Sequence, residues 1–201
     1  MEWITVPEKG FTLREVRTLT NRNVNLSEEL EKSVSAILEK VRDGGDAAIR
    51  ELTKKFDGVE LSDFRVTEEE MQEALAQVTP EFLEVLTEAK ANIETFHKEQ
   101  VRKSWTKNFR DGVELGEQFL PIQRVGVYVP GGRAAYPSTV LMDTVPALVA
   151  GCSSVAMTTP PGKDGKVNPN ILAAAYVAGV KEIYQVGGAQ GIAMLAYGTE
   201  S

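Results

Sequence analysis

From Arg124 onward, a short apolar run, a loop and a helical pattern follow one another three times. Val125–Val129 reads as a strand, Pro130–Pro137 as a loop and Ser138–Val149 as a helix. Val155–Thr158, Pro160–Lys166 and Pro169–Ala178 repeat the order, and Ile183–Val186, Gly187-Gly188 and Gln190–Ala196 repeat it again. Parallel strands cannot be joined by a tight turn, so a helix must carry the chain back between them. This period predicts βαβ units with right-handed crossovers on a parallel sheet. Charge agrees with it. Residues 124–201 hold only five basic and four acidic side chains, as expected of strands buried on both faces.

Residues 1–123 differ in kind, holding the other 17 basic and 25 acidic side chains. Here the apolar spacing predicts solvated amphipathic helices. Leu30, Val34, Ile37, Leu38 and Val41 form the stripe of the first, which Gly44-Gly45 stops. Asp46 can cap a second carrying Ile49, Leu52 and Phe56, ended by Asp57-Gly58. Thr67-Glu68-Glu69-Glu70 is a capping-box pattern opening a third. Thr79-Pro80 starts a fourth with Phe82, Leu86, Ala89, Ile93 and Phe96 on one face. Asp111-Gly112 predicts a hairpin between Trp105–Phe109 and Val113–Phe119. The expected fold is therefore α/β: an N-terminal helical region, 1–123, with a hairpin near 105–119, followed at 124–201 by an incomplete Rossmann-like βαβαβα parallel sheet. Three strands in a sheet that should continue leave an open edge, which invites self-association.

Several functional classes are disfavoured. A net charge of −7 argues against a nucleic-acid binder and against docking on anionic lipid. No apolar run has the length of a membrane span, and Met1-Glu2-Trp3-Ile4 lacks a basic signal-peptide start. The single cysteine, Cys152, permits no internal disulfide and fits a reducing cytoplasm.

In an open parallel sheet, ligands gather beyond the carboxyl ends of the strands. Three loops are expected there: Pro130-Gly131-Gly132-Arg133, Pro160-Pro161-Gly162-Lys163 and Gly187-Gly188-Ala189-Gln190. A double-glycine turn before a helix lets a ligand approach the backbone and offers free N–H groups to phosphate. The same glycines can equally serve only to close a tight turn. Two such loops on one edge favour a nucleotide site, although G-x-G-x-x-G is absent. Tyr128 at a strand end can stack on a ring or hydrogen-bond a ribose, and the Gln190 amide can bind a base or hydroxyl; a wet-tipped core tyrosine and a helix-capping amide are the plainer alternatives. Arg133 can pair with phosphate, or simply be solvated.

His97 is the only histidine, so it can supply neither a multi-histidine metal site nor a placed Ser-His-Asp set. It reads as a structural or surface residue. Cys152 has no evident base or positive setting and reads as a small core residue. No catalytic or metal-binding residue is therefore assigned.

The run from Pro121 to Met142, centred on Val127-Tyr128-Val129-Pro130-Gly131-Gly132, closely resembles histidinol dehydrogenase. So do Val186-Gly187-Gly188-Ala189-Gln190 and Ala196-Tyr197-Gly198-Thr199-Glu200-Ser201, with weaker likeness at Gly45-Asp46-Ala47, Thr53, Phe56-Asp57-Gly58, Ile93, Phe96-His97 and Gln100. The resemblance implies oxidation of L-histidinol to L-histidine through a bound aldehyde, with two NAD⁺ and one zinc ion, in a cytoplasmic homodimer. It implies that Tyr128 and Gln190 contact NAD. It also implies that the zinc ligands and a Glu-His acid–base pair come from sequence after Ser201, so that these 201 residues alone are inactive. Gly191 stands where the family usually has alanine, which implies a looser start to the third helix. The alternative to this N-terminal portion of an enzyme is a non-catalytic nucleotide-binding or interaction module.

Overall fold

The structure is a computed structural model that describes residues 10, 12, 28–131 and 135–201. It divides into two compact units, residues 1–35 and 36–201. In the first unit the described residues are 10, 12 and the opening of helix α1 (Glu28–Phe56). Leu30 and Val34, expected on a buried stripe, stand exposed there.

The two helices expected on either side of Gly44-Gly45 are the two limbs of α1, broken at Gly45 by φ 50 and ψ −137. An L side chain rarely takes that conformation, so the double glycine stops the first limb as its chemistry requires. The second limb buries Ile49, Leu52 and Thr53 but leaves Phe56 about half exposed. Helix α2 (Glu68–Leu75) has the full capping box: the Glu70 N–H donates to Thr67 Oγ1 at 3.2 Å and the Thr67 N–H donates to Glu70 Oε2 at 2.8 Å. Thr79 caps α3 (Pro80–Lys98) by accepting from the Phe82 N–H. Phe82, Leu86, Ala89 and Ile93 pack inward, whereas Phe96, one turn further, is 65% exposed.

Strands β1 (Trp105–Arg110) and β2 (Val113–Glu117) form the antiparallel hairpin around Asp111-Gly112, with Gly112 at φ 75. The parallel sheet is β3 (Arg124–Tyr128), β4 (Ser154–Thr158) and β5 (Glu182–Tyr184), in that spatial order. Helices α4 (Pro137–Val149), α5 (Pro169–Ala178) and α6 (Gly188–Tyr197) follow the three strands. β5 ends two residues earlier than expected. Gln185 leaves the ladder because its N–H donates to the Phe64 carbonyl at 2.7 Å, and the Val186 carbonyl accepts the Thr158 hydroxyl at 2.6 Å.

β4 faces a core on both sides. Val155 and Met157 join α2, α3, α4 and α5 in one apolar cluster, while Ala156 joins α1 and α6 in the other. That is the period-two alternation of a strand applied to a sheet covered on both faces. Fully covering a leucine, isoleucine or valine side chain is worth about 1.5–3 kcal/mol, and Val41, Ile49, Val140 and Ile171 are each at most 1% exposed.

One sheet edge is closed in a way the sequence pattern did not signal. Phe64–Val66 runs antiparallel along β5, with the Val66 N–H donating to the Ile183 carbonyl at 2.9 Å and Arg65 bridged to Tyr184. The open edge that remains is that of β3, which lacks a neighbouring strand among the described residues. At the amino ends of the strands, the Arg124 guanidinium pairs with the Glu182 carboxylate across β4.

The end of the chain is tied to the break in α1. The Asp46 N–H donates to Glu200 Oε2 at 2.8 Å, Ser201 Oγ donates to the Asp46 carboxylate, and Arg50 lies 3.8 Å from it. A Cβ at Gly45 would lie 2.6 Å from Glu200 Oε1. We therefore expect Gly45→Ala to destabilise the fold by about 1–3 kcal/mol in urea denaturation, from backbone strain and displacement of Glu200. Burial pushes the Asp46 carboxyl up, but the Ser201 hydrogen bonds and the Arg50 charge outweigh it and hold the group below its ordinary range. Its stabilisation is then present above the unfolded-state value and lost as pH falls through the lower folded-state value. Asp46→Asn should flatten that acid limb in a series of denaturation curves below pH of about 4.

Candidate functional site

The three expected loops begin where β3, β4 and β5 end. The Val129 N–H donates to the Thr158 carbonyl at 2.9 Å, so the first loop leaves the sheet one residue after β3. Gly132 and Arg133 lie outside the described residues, and nothing further is assigned to them. The other loops place Pro160 between two glycines. A Cβ at Gly131 would lie 2.7 Å from Pro160 Cγ, and one at Gly187 would lie 2.6 Å from Pro160 Cβ. Gly131 and Gly187 thus have a packing reason to be glycine: each lets its loop close onto Pro160.

Gly188 is different. It takes φ 61, and the Gln190 amide lies directly over it, with Oε1 2.6 Å from where a Cβ would stand. Gln190 is 1% exposed, yet its side chain makes no hydrogen bond among the described residues. The half-buried Tyr128 brings its hydroxyl to the same glycine and accepts the Gly188 N–H at 3.4 Å, the long limit of a hydrogen bond. Tyr128 and Gln190, selected in the sequence at two separate strand ends, therefore meet at one glycine. The contact leaves the amide and the phenol with hydrogen-bonding capacity for a ligand.

Beside them, Gly131, Ala135, Pro160, Gly162, Lys166 and Asn168 border a cleft of about 260 Å³. The Lys166 ammonium pairs with Glu73 at 2.8 Å, which holds the second loop against α2. Asn168 Oδ1 accepts the Asn170 N–H at 2.9 Å and caps α5. Gly191 is a place of close approach rather than of slack: a Cβ there would lie 2.7 Å from the Val186 carbonyl oxygen and 3.0 Å from Thr158 Oγ1. The expectation of a loosened helix start therefore gives way to a helix seated tightly on the strand ends, with the Gly191 N–H donating to the Gly187 carbonyl at 3.0 Å.

One polar residue at this edge reads in the sequence as the end of a helix and as part of a weaker family likeness, not as a site residue. Asp57 follows the last residue of α1, and its Oδ1 would lie 3.4 Å from a Cβ on Gly187. Its Oδ2 is buried and has no hydrogen-bond partner, and burial pushes the carboxyl above its ordinary range. Sequence proximity offered no route to this placement, since Asp57 and Gly187 are joined only by tertiary packing.

The remaining chemical residues stay apart from the edge. His97 Nδ1 lies 2.7 Å from Gln100 Oε1, and its ring meets Phe96 edge-on at 5.3 Å between centroids. Cys152 is a free, half-buried thiol between α4 and β4. Among the described residues no group of three or more His, Cys, Asp or Glu side chains is gathered closely enough to hold a metal ion, and no helix is long and apolar enough to cross a membrane.

The sequence matches the family model for histidinol dehydrogenase over residues 20–201. The chain belongs to the histidinol dehydrogenase family. It is 53% identical over 175 residues to the histidinol dehydrogenase of Geobacillus kaustophilus, covering 87% of this chain and 41% of that protein. It is 49% identical over 194 residues to that of Methanocaldococcus jannaschii, covering 96% and 45%. The crystal structure of histidinol dehydrogenase from Elizabethkingia anophelis superposes with a TM-score of 0.85 at 38% identity, over 94% of this chain and 44% of that one. The chain thus spans less than half the length of these relatives and corresponds to their N-terminal part.

The packing of Pro160 between the loops yields a direct test. Gly187→Ala has no backbone strain to overcome, yet must move Pro160. We expect a loss of about 1–3 kcal/mol by chemical denaturation, within the range for overpacked sites.

Proposed function

We propose that residues 124–201 form the NAD-contacting segment of a histidinol dehydrogenase, with the helices of residues 36–98 buttressing it. The observation that carries this reading is the meeting of Tyr128 and the unpartnered Gln190 amide at Gly188, on the carboxyl edge of a parallel sheet. Ligands of such sheets bind at that edge. The fit to a dinucleotide rests on features of this chain: a glycine at positive φ that leaves the backbone approachable, an amide free to bond a base or ribose hydroxyl, and an adjoining cleft.

In this role the Gln190 amide fixes one end of the cofactor by hydrogen bonding, and the Tyr128 phenol bonds a hydroxyl or covers a ring face. The buried floor beneath them, Val129, Thr158 and Val186, keeps water from the inner side of the site. When bound, NAD supplies the hydride acceptor for the two successive oxidations, histidinol to aldehyde and aldehyde to histidine. Zinc does not fit the described residues of this chain. The one histidine is engaged with Gln100, and no cluster of ligand side chains accompanies it among the described residues. Zinc ligands and the acid–base pair are accordingly assigned to sequence outside these 201 residues, and no step at a metal is derived from this chain. The proposal includes a cytoplasmic enzyme of histidine biosynthesis that acts as a homodimer when complete.

Titration calorimetry with NAD⁺ tests the site. Binding by the chain is expected to weaken about threefold to tenfold in Gln190→Ala, the loss of one hydrogen bond. Equal affinity in the two proteins would remove Gln190 from the site. Histidinol-dependent NADH formation is expected only when the complementary part of the enzyme is supplied. Robust turnover by the 201 residues alone would overturn the assignment of the chemistry to the missing part.

A further inference from the structure

Asp57 occupies a position that is unfavourable three times over. It sits at the C-terminal end of α1, where the helix dipole is negative and repels a carboxylate. Its Oδ2 is buried with no hydrogen-bond partner. The basic side chains of the same turn are also engaged elsewhere: Lys54 pairs with Glu60, and Lys55 lies over the Phe56 ring at 5.2 Å. Burial accordingly pushes the Asp57 carboxyl up, with no opposing contribution. One turn earlier on the same helix face, Thr53 Oγ1 is likewise buried and unpartnered. Orphaned buried polar atoms of this kind are rare in native folds, and they gather where a ligand completes the hydrogen bonding.

The carboxylate lies against Gly187, next to Gly188, the glycine that Tyr128 and Gln190 reach. A negative charge in contact with Gly187 makes this turn a poor seat for a pyrophosphate, even though a double-glycine turn at a helix N-terminus is commonly a phosphate cradle. It suits instead a neutral group that offers hydrogen-bond donors, since a carboxylate accepts two such bonds side by side. A vicinal diol on a sugar ring has this character.

We infer that Asp57 is a specificity-determining residue of the cofactor site, accepting hydrogen bonds from a ribose diol of the dinucleotide seated at Gly187-Gly188 and excluding phosphate from that position. The inference rests on the dinucleotide reading above and sharpens it: the phosphates are not seated at this turn. A carboxylate at the diol also repels a dinucleotide whose ribose bears a 2′-phosphate.

Asp57→Asn keeps the size of the side chain and removes its charge. Calorimetric titration of the wild-type chain, Asp57→Asn and Gln190→Ala with NAD⁺ and with NADP⁺, together with thermal melts without ligand, tests the inference. In Asp57→Asn we expect NAD⁺ affinity to fall about tenfold, the preference for NAD⁺ over NADP⁺ to shrink, and the melting temperature to hold or rise, because an unpaired buried charge has been removed. A purely structural aspartate would lower the melting temperature and leave the preference unchanged, and that result overturns the inference. Unchanged NAD⁺ affinity and preference in Asp57→Asn, with binding weakened in Gln190→Ala, would overturn this inference alone. Failure of the wild-type chain to bind NAD⁺ would overturn the dinucleotide reading and this inference together.

Discussion

A parallel sheet must be covered on both faces, and in this chain that requirement falls on β4. Its alternate residues enter two separate cores, Val155 and Met157 on one side and Ala156 on the other. The five residues of β4 bring α2–α5 and the α1–α6 pair to one sheet, and so decide what stands at the sheet's carboxyl edge. Thr158, last in that strand and wholly buried, then bonds the Val186 carbonyl through its hydroxyl and accepts the Val129 N–H on its carbonyl. The loops that carry the candidate site are hung from the end of this strand.

The second constraint is close packing of those loops. Pro160 approaches Gly131 and Gly187 so closely that neither could carry a side chain without displacement. Each glycine therefore has a structural purpose, and only Gly188 combines positive φ with contact to both Tyr128 and Gln190. Double-glycine turns in this chain are for the most part a consequence of how tightly the loops gather. The gathering is what forms the candidate site. The candidate signal lies in the polar groups gathered around the glycines: the Gln190 amide packed on Gly188, and the Asp57 carboxylate, whose buried Oδ2 has no partner and is unfavourable there unless a ligand satisfies it.

Much of the architecture was legible in local chemistry. The capping box at Thr67, the proline start at Pro80, the Asp111-Gly112 hairpin and the break at Gly45 all follow from residues within one turn of the feature. The apolar stripes were less reliable at their ends: Leu30, Val34, Phe56 and Phe96 fit the helical period yet remain exposed. Periodicity reports which side chains share a face, not how far the neighbouring element extends along it. The antiparallel segment Phe64–Val66 escaped notice for a related reason. It is short, and its pairing partner Tyr184 lies far along the chain.

The residues alone determined the order of strands and helices, the helix boundaries set by caps and glycines, and the choice of Tyr128 and Gln190, because each depends on interactions between near neighbours in sequence. Their run from Pro121 to Met142 also carried the likeness to the histidinol dehydrogenase family, to which the whole stretch 20–201 belongs. Tertiary structure alone decided that Tyr128 and Gln190 meet at Gly188, that Pro160 separates two glycine loops, and that Asp57 comes from the end of the first helix to the same turn. Those placements depend on two cores packed against opposite faces of one sheet, and no local pattern in the sequence records where such packing brings distant residues together.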